Sequence, residues 1–434
     1  MKAIQESTLR IAVFFDGTGN NKTNSGSDPI KYGNKTNIAK LFDACQISDR
    51  FYVEGVGTLD NKDDSIYAKG TGNNPIGYSG YSYTDKLNKG MDYFKEMREK
   101  NPGVTLEFLI FGFSRGATLA RDFAKRILAD SQVKIAYLGI MDTVVSLFTL
   151  TVSIHFNDSE LERIDQILHL CAMNECRYYF SLTSILSTED LGAFVRLENH
   201  YTAKVKEIYV PGAHADLGGG YVSDVENVYL NEIRAEEVYL ASSLSIIKTT
   251  VKDNLSCSIF QPIWESLMGS NVFIKPYTTL FNLVSERPRV KIELAFTYLE
   301  VLVSVVNTYF NSTVFMHESS VEDEHLLQLR DDIITYVNSN VPLKGPCYNY
   351  SVLTDFTHIS ANFGKEGTGV NNWLNTFDPE LLENEIQEIK TANPSLNDEE
   401  YDVNFILSAF GLPSFFVNAP ANPQWFREVH YGRS

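Results

Sequence analysis

A chain of 434 residues has room for one large α/β domain with insertions or for two domains, and 44% hydrophobic with 12% aromatic content is enough for a full core. The formal charge of -18 excludes nucleic acid as a partner, because phosphate contacts need a basic face. It also excludes simple electrostatic attraction to anionic lipid, so any membrane contact has to be apolar and local. The five cysteines, Cys45, Cys171, Cys176, Cys257 and Cys347, lack C-x-x-C spacing and fit reduced thiols in a protein folded in the cytoplasm. The opening MKAIQESTLRIAVFF lacks the apolar core of a secretion signal. No run of eighteen apolar residues free of charge offers a transmembrane segment.

Arg10 to Phe15 is a short apolar strand that breaks into Asp16-Gly17-Thr18-Gly19-Asn20-Asn21. A glycine-rich loop at a strand end is where a doubly wound sheet puts function, and its unobstructed N–H groups suit an oxyanion hole. Gly17 and Thr18 are the candidate donors here, with a plain Asx-turn as the alternative. A phosphate-binding loop is disfavoured because no G-x-x-x-x-G-K-[ST] pattern is present. Asn24 to Asn34 reads as loop, Asn37 to Ala44 as helix, Phe51 to Val56 as strand, Lys62 to Tyr83 as irregular and Tyr83 to Met97 as helix.

The chain is organised around Thr105 to Asp122, TLEFLIFGFSRGATLARD. Leu106 to Phe111 is apolar on both faces, as an interior parallel strand must be, and Ala117, Leu119, Ala120, Phe123 and Ala124 follow at helical spacing. Between them stands Gly112-Phe113-Ser114-Arg115-Gly116, a G-x-S-x-G that makes Ser114 the candidate nucleophile and the Arg115 N–H the other oxyanion donor. Lys134 to Met141 is a further strand ending in Asp142, placed to orient a catalytic histidine or else to cap the next helix. Val144 to Ile154 is apolar enough for core or for an acyl pocket. His169 to Phe180 reads as a helix or helix end with a structural ion-pair set, His169, Glu175 and Arg177.

Lys206 to Val210 is a strand that runs into Gly212-Ala213-His214-Ala215-Asp216, followed by three glycines. The order Ser114, Asp142, His214, each at a strand end, makes His214 the candidate base. Past Tyr221 the pattern turns helical over Asp224 to Lys248, Val290 to Phe310 and Val321 to Ser339. Ser351 to Ser360 reads as a late strand that carries His358, the rival base, and the end, FFVNAPANPQWFREVHY, reads as loop. The expected organisation is an α/β-hydrolase-like core over residues 1–221, a helical insertion over 222–345 and a segment over 346–434 returning to the core. Val290 to Phe315, with Leu294, Phe296, Leu299, Leu302, Val303, Val306, Tyr309 and Phe310, forms an apolar stripe that belongs either to the core or to a movable lid. No cofactor and no metal is expected. Asp16 and Asp216, assigned supporting roles, are the carboxylates that would have to converge to hold an ion.

Four blocks, Phe15-Asp16-Gly17-Thr18-Gly19-Asn20, Gly112 to Ala117, Gly139 to Val144 and Gly212 to Tyr221, together resemble the signature of an α/β-hydrolase family catalogued as domain of unknown function 2235. That family includes phospholipase effectors of the type VI secretion system. Thr357 to Ser360 and Val417 to Pro420 are similar to the secretion-associated branch. His169 to Arg177 resembles the family's H-A-x-x-x-D-E-x-R element, with Leu170 for the usual alanine and Asn174 for the aspartate. The resemblance implies a mainly parallel sheet with helices on both faces, a Ser114, Asp142, His214 triad and hydrolysis of membrane phospholipid esters of phospholipase A type. It further implies a VgrG-type spike and a cognate immunity protein as partners, with a cytoplasmic location in the producer and delivery to the periplasm or membrane of target cells. A carboxylesterase or thioesterase on soluble esters and a non-catalytic interaction protein are the alternatives.

Overall fold

The computed structural model describes residues 8–146, 152–187, 200–222, 226–234, 271–277, 280–287, 290–339, 348–360 and 427–432. The strands are β1 (Thr8–Phe15), β2 (Arg50–Val53), β3 (Thr105–Phe113), β4 (Val133–Met141), β5 (Ile167–Ala172), β6 (Leu182–Ser187), β7 (His200–Tyr201), β8 (Val205–Val210), β9 (Glu226–Arg234), β10 (Asn271–Tyr277), β11 (Leu280–Arg287) and β12 (Val429–Gly432). The principal helices are α1 (Asn37–Ala44), α2 (Tyr83–Lys100), α3 (Arg115–Ile127), α4 (His214–Gly218), α5 (Glu293–Phe310) and α6 (Glu324–Asn338). Seven strands form one sheet in the order β2-β1-β3-β4-β5-β8-β7, parallel except for the edge strand β7.

Successive strand residues point to opposite faces, so a strand covered on both sides has to be apolar throughout. In β1, Ile11, Val13 and Phe15 join one core with α2 and α3, while Ala12 and Phe14 join another with α1, α5 and α6. The result is a three-layer α/β/α arrangement of the α/β-hydrolase-like kind. Beside it, β10, β11 and β9 make an antiparallel sheet, and β12 pairs in parallel with β6.

Several expectations are corrected. The stretch expected to be helical from Asp224 contains strand β9, and 235–248 lies outside the described residues. His169 sits on β5, because residues 167–172 are buried between β4 and β8 rather than amphipathic. In place of the strand expected from Ser351, the chain forms a helical turn over Tyr350–Leu353 and a 3-10 turn over Thr354–Phe356, started by Asn349, whose side chain accepts the Ser351 N–H at 3.2 Å. Short helices occupy Lys22–Ser27, Pro29–Tyr32 and Ile66–Thr71, where loop was expected. The tail expected as loop carries strand β12.

The apolar stripe on α5 is core rather than lid. Leu294, Leu299, Leu302 and Val306 are at most 1% exposed and pack with α1, α6 and the sheet. At roughly 1.5–3 kcal/mol per fully buried aliphatic side chain, this face is too costly to lift into water. No described helix is long and apolar enough to cross a membrane.

Candidate active site

Strand β3 ends at Phe113 and helix α3 starts at Arg115, so Ser114 alone makes the turn, at φ 60° and ψ -129°. A non-glycine residue held in that region costs roughly 1–3 kcal/mol, so its surroundings must enforce it. They do so through the Ser114 N–H, which donates to Met141 O at 3.0 Å, and the Val144 N–H, which donates to Ser114 O at 3.3 Å. The flanking glycines are required by contact: a Cβ on Gly112 would lie 2.5 Å from Gly116 O, and one on Gly116 would lie 2.3 Å from Phe15 O. Strand, helix and the β1 loop therefore meet closely enough to present the serine at the C-terminal edge of the sheet.

Phe113 stands opposite Met141 in the β3–β4 register, so Ser114 and Asp142 are the next residues at adjoining strand ends. Asp142 is also at positive φ, 44°, and is fully buried. Its N–H donates to Leu170 O (2.8 Å), and its carboxylate accepts from the Ala172 N–H (2.9 Å), from His214 Nδ1 (2.5 Å) and from Arg427 Nη2 at 2.9 Å to each oxygen. Burial disfavours the charged form, but Arg427 and His214 outweigh it and hold Asp142 below the usual carboxylate range.

His214 opens the short helix α4 and is 5% exposed. The block ending at Arg177, expected to be a structural ion-pair set, grips its backbone. Asn174 Oδ1 accepts the Gly212 N–H (2.7 Å), and Glu175 Oε2 accepts the His214 N–H (3.2 Å). Glu175 in turn takes two guanidinium bonds from Arg177 at 2.9 Å, and that pairing overcomes burial to bring its carboxyl down to about 2. The Arg177 guanidinium lies 3.5 Å over the Phe180 ring, and Phe180 and Phe113 pack on the His214 imidazole at 5.0 and 4.5 Å between centroids. Burial, the dominant effect, holds His214 below the usual imidazole range despite Asp142, which leaves it a neutral base near pH 7. Among the described residues Ser114 Oγ and His214 Nε2 make no hydrogen bond. Such contacts commonly tighten only with substrate bound.

On the other side of Ser114, the Gly17 N–H is taken by Asp16 Oδ1 (2.8 Å), whereas the N–H groups of Thr18 and Arg115 have no acceptor among the described residues. The Arg115 side chain ties the two segments together. It donates to Thr18 Oγ1 (3.5 Å) and to the carbonyls of Lys69 and Gly70. Asp16 lies 1% exposed among Tyr52 Oη (2.6 Å), Thr36 Oγ1 (2.7 Å) and Gly17 N. With no cation among those partners, burial pushes it up to about 6.

Asp216 and His358 form a separate pair. His358 Nδ1 meets Asp216 Oδ1 at 2.5 Å, the His358 N–H donates to Oδ2 at 2.9 Å, and Tyr221 stacks on the ring at 4.0 Å. The structure thus joins His214, not the rival His358, to Asp142. Asp16 and Asp216 are each engaged by different groups. Among the described residues His169, Cys171 and Glu207 bring candidate metal-ligand atoms within 4.8 Å of one another. Both imidazole nitrogens of His169 are already used, Nε2 by the Thr143 N–H (3.2 Å) and Nδ1 by Glu207 (2.9 Å), so this cluster braces the turn after Asp142. Two features escaped the sequence reading. Glu207 looks like an ordinary strand residue, and Arg427 is separated from its partner by 285 positions with no local pattern to mark it.

A mainly parallel sheet with helices on both faces and a strand, serine, helix elbow at its C-terminal edge defines an α/β-hydrolase-like protein. The chain matches the family model described as T6SS phospholipase effector Tle1-like, catalytic domain, over residues 9–129 and 122–238, and it belongs to that family. It shares its fold with the solved Tle1 effector bound to the VgrG spike from the type 6 secretion system, with a TM-score of 0.59 and 18% identity over 98% of this chain and 94% of that one. A weaker likeness, TM-score 0.33 and 20% identity over 50% of this chain and 42% of that one, is to an uncharacterized protein from Pseudomonas aeruginosa. No curated protein matches the chain.

Proposed function

We propose that the protein is a serine hydrolase that releases fatty acids from glycerophospholipids in the manner of a phospholipase A. The observation that carries this reading is the Ser114 elbow beside the buried Asp142–His214 pair. Ser114 Oγ attacks the ester carbonyl as His214 Nε2 takes its proton, and Asp142 holds the imidazole in the tautomer that leaves Nε2 free. The oxyanion is received by the N–H groups of Thr18 and Arg115, and the α3 N-terminus adds its dipole. When the intermediate collapses, His214 returns the proton to the departing alcohol, and water then cleaves the acyl-serine by the same route in reverse. Family membership supports lipid as the substrate and action inside target cells after type VI delivery, and the likeness to a VgrG-bound effector supports a VgrG-type spike as carrier.

The test is fatty-acid release from phosphatidylethanolamine vesicles by wild type and Ser114→Ala, with fluorophosphonate labelling alongside. Full release by Ser114→Ala would sink the reading. Turnover of short esters that does not rise above the substrate's micellar concentration would replace it with a soluble esterase.

A further inference from the structure

The Asp142 carboxylate has a partner that the proton relay does not require. Arg427 lies 285 residues further along the chain, its side chain 1% exposed, with Nη2 at 2.9 Å from both oxygens. Its other donors, Nε and Nη1, are buried without acceptors. Burying a guanidinium with donors unpaired works against folding, so the Asp142 contact is what accounts for its position. The backbone route is equally specific. Strand β12 lies on β6 with Val429 opposite Leu182, the Leu182 N–H donates to Glu428 O (2.8 Å), and Ser181 Oγ donates to the Glu428 carboxylate (2.8 Å). Strand β6 is in turn fastened to the catalytic turn, since the Thr183 N–H donates to Thr143 O at 2.8 Å and Val144 bridges to Leu182. A continuous ladder therefore runs from the C-terminal segment through β6 to the strained residue at φ 44° that carries the carboxylate.

Resting on the serine-hydrolase reading, we propose that Arg427 is a positioning residue for catalysis: it fixes the plane and charge of Asp142 toward His214, so that the site is complete only while the C-terminal segment is docked on β6. The charge has a definite consequence. A guanidinium sharing the Asp142 carboxylate leaves less negative potential to stabilise an imidazolium, so His214 stays neutral and ready to accept a proton at lower pH.

The experiment compares full-length wild type, Arg427→Met and Arg427→Lys on a short p-nitrophenyl ester, recording kcat and KM from pH 5 to 9, with near-ultraviolet circular dichroism as the check on folding. Arg427→Met is expected to lose about a hundredfold in kcat, the scale of an ångström-level misplacement of a catalytic group, with KM changed less than about threefold. Its acid limb should move to higher pH as His214 becomes easier to protonate, and Arg427→Lys should recover at least about tenfold by restoring a single charged nitrogen to the carboxylate. Wild-type kcat and an unmoved acid limb in folded Arg427→Met would overturn the proposal. If Arg427→Met does not fold, Arg427→Gln takes its place as the uncharged variant: wild-type kcat and an unmoved acid limb there overturn the proposal, and a reduced kcat at little-changed KM with the acid limb moved to higher pH supports it. Failure of the underlying reading looks different, because wild type itself would then show no Ser114-dependent fluorophosphonate labelling.

Discussion

The two histidine–aspartate pairs, His214 with Asp142 and His358 with Asp216, share one Nδ1–carboxylate contact and have opposite pKa shifts. Each joins Nδ1 to a carboxylate oxygen at 2.5 Å, and each histidine is under a tenth exposed. They even share an element, since α4 carries the histidine of one pair and the aspartate of the other. What separates them is the charge around them. His214 is held below the ordinary imidazole range by burial, with Arg177 adding to it, and together they outweigh Asp142 and Glu175. Burial acts on His358 as well, but there Asp216 and Glu226 outweigh it, and the ring stays above that range. The first histidine is the weaker base of the two and stays neutral near pH 7, and the second binds its proton more tightly than a free imidazole does.

The largest expected effect breaks this symmetry directly. His214→Ala should lower turnover of a soluble ester by at least about a thousandfold, since a triad member acts within a unit, whereas folded His358→Ala should stay within about tenfold of wild type. Equal losses in the two folded variants would return His358 to the role of base. Stability should run the other way and depend on pH. A histidine whose folded pKa is raised contributes stability that is fully present below its unfolded value of 6.5 and is lost as pH rises through the folded value. His358→Ala should therefore lower the melting temperature more at pH 6 than at pH 9. His214, with its folded pKa lowered, costs stability in acid, so the melting temperature of His214→Ala should compare more favourably with wild type at pH 5 than at pH 8.

How far the sequence discloses these sites follows from what each residue's local pattern can carry. Ser114 and Asp142 directly follow strands and His214 stands just past another, each strand with its own apolar signature, and the strand, turn, helix succession around Gly112 and Gly116 is a local event readable from neighbours. Asp16 is visible for the same reason, but its raised pKa is not, because Tyr52 and Thr36 reach it across the fold. Arg427 and Glu207 act at 285 and 38 positions from their partners, and neither spacing leaves a periodic trace. The apolar stripe on α5 is readable as helix but silent on burial, because a lid and a core helix share the same 3.6-residue pattern.

Helix α5 is the floor on which both pairs stand. Tyr298 Oη donates to Pro211 O, Leu294 packs beneath Gly212, and Asn37 Nδ2 bonds both Leu217 O and Ala295 O at 2.8 Å, tying α4 to α5. Leu302→Ser removes a fully buried side chain and leaves a hydroxyl in the cavity, for an expected loss of about 3–5 kcal/mol in urea unfolding. Activity on vesicles and on a soluble ester should fall together. Loss on vesicles alone with stability intact would instead make α5 a lid.

The smallest effect takes the comparison to two carboxylates, Asp142 and Asp16, both buried and differing in whether a cation is near. Asp142, held low by Arg427 and His214, contributes stability that is present above the unfolded carboxylate range and is lost as pH falls through its folded value. Asp16 has only hydroxyl and N–H donors, and burial raises it from 3.8 to about 6. Its folded form binds the proton more tightly than the unfolded chain does, so this one group makes stability decline as pH rises from about 4 to 6, by at most about 3 kcal/mol. Asp16→Asn keeps an acceptor for the Thr36 hydroxyl and the Gly17 N–H and cannot ionise, so it removes that decline. Urea unfolding at pH 4.5 and pH 7 should show the variant gaining on wild type at the higher pH, while its activity stays far above that of His214→Ala. Parallel stabilities at the two pH values would mean that Asp16 is ionised throughout, and that an unpaired burial of this depth does not raise a carboxyl in this fold.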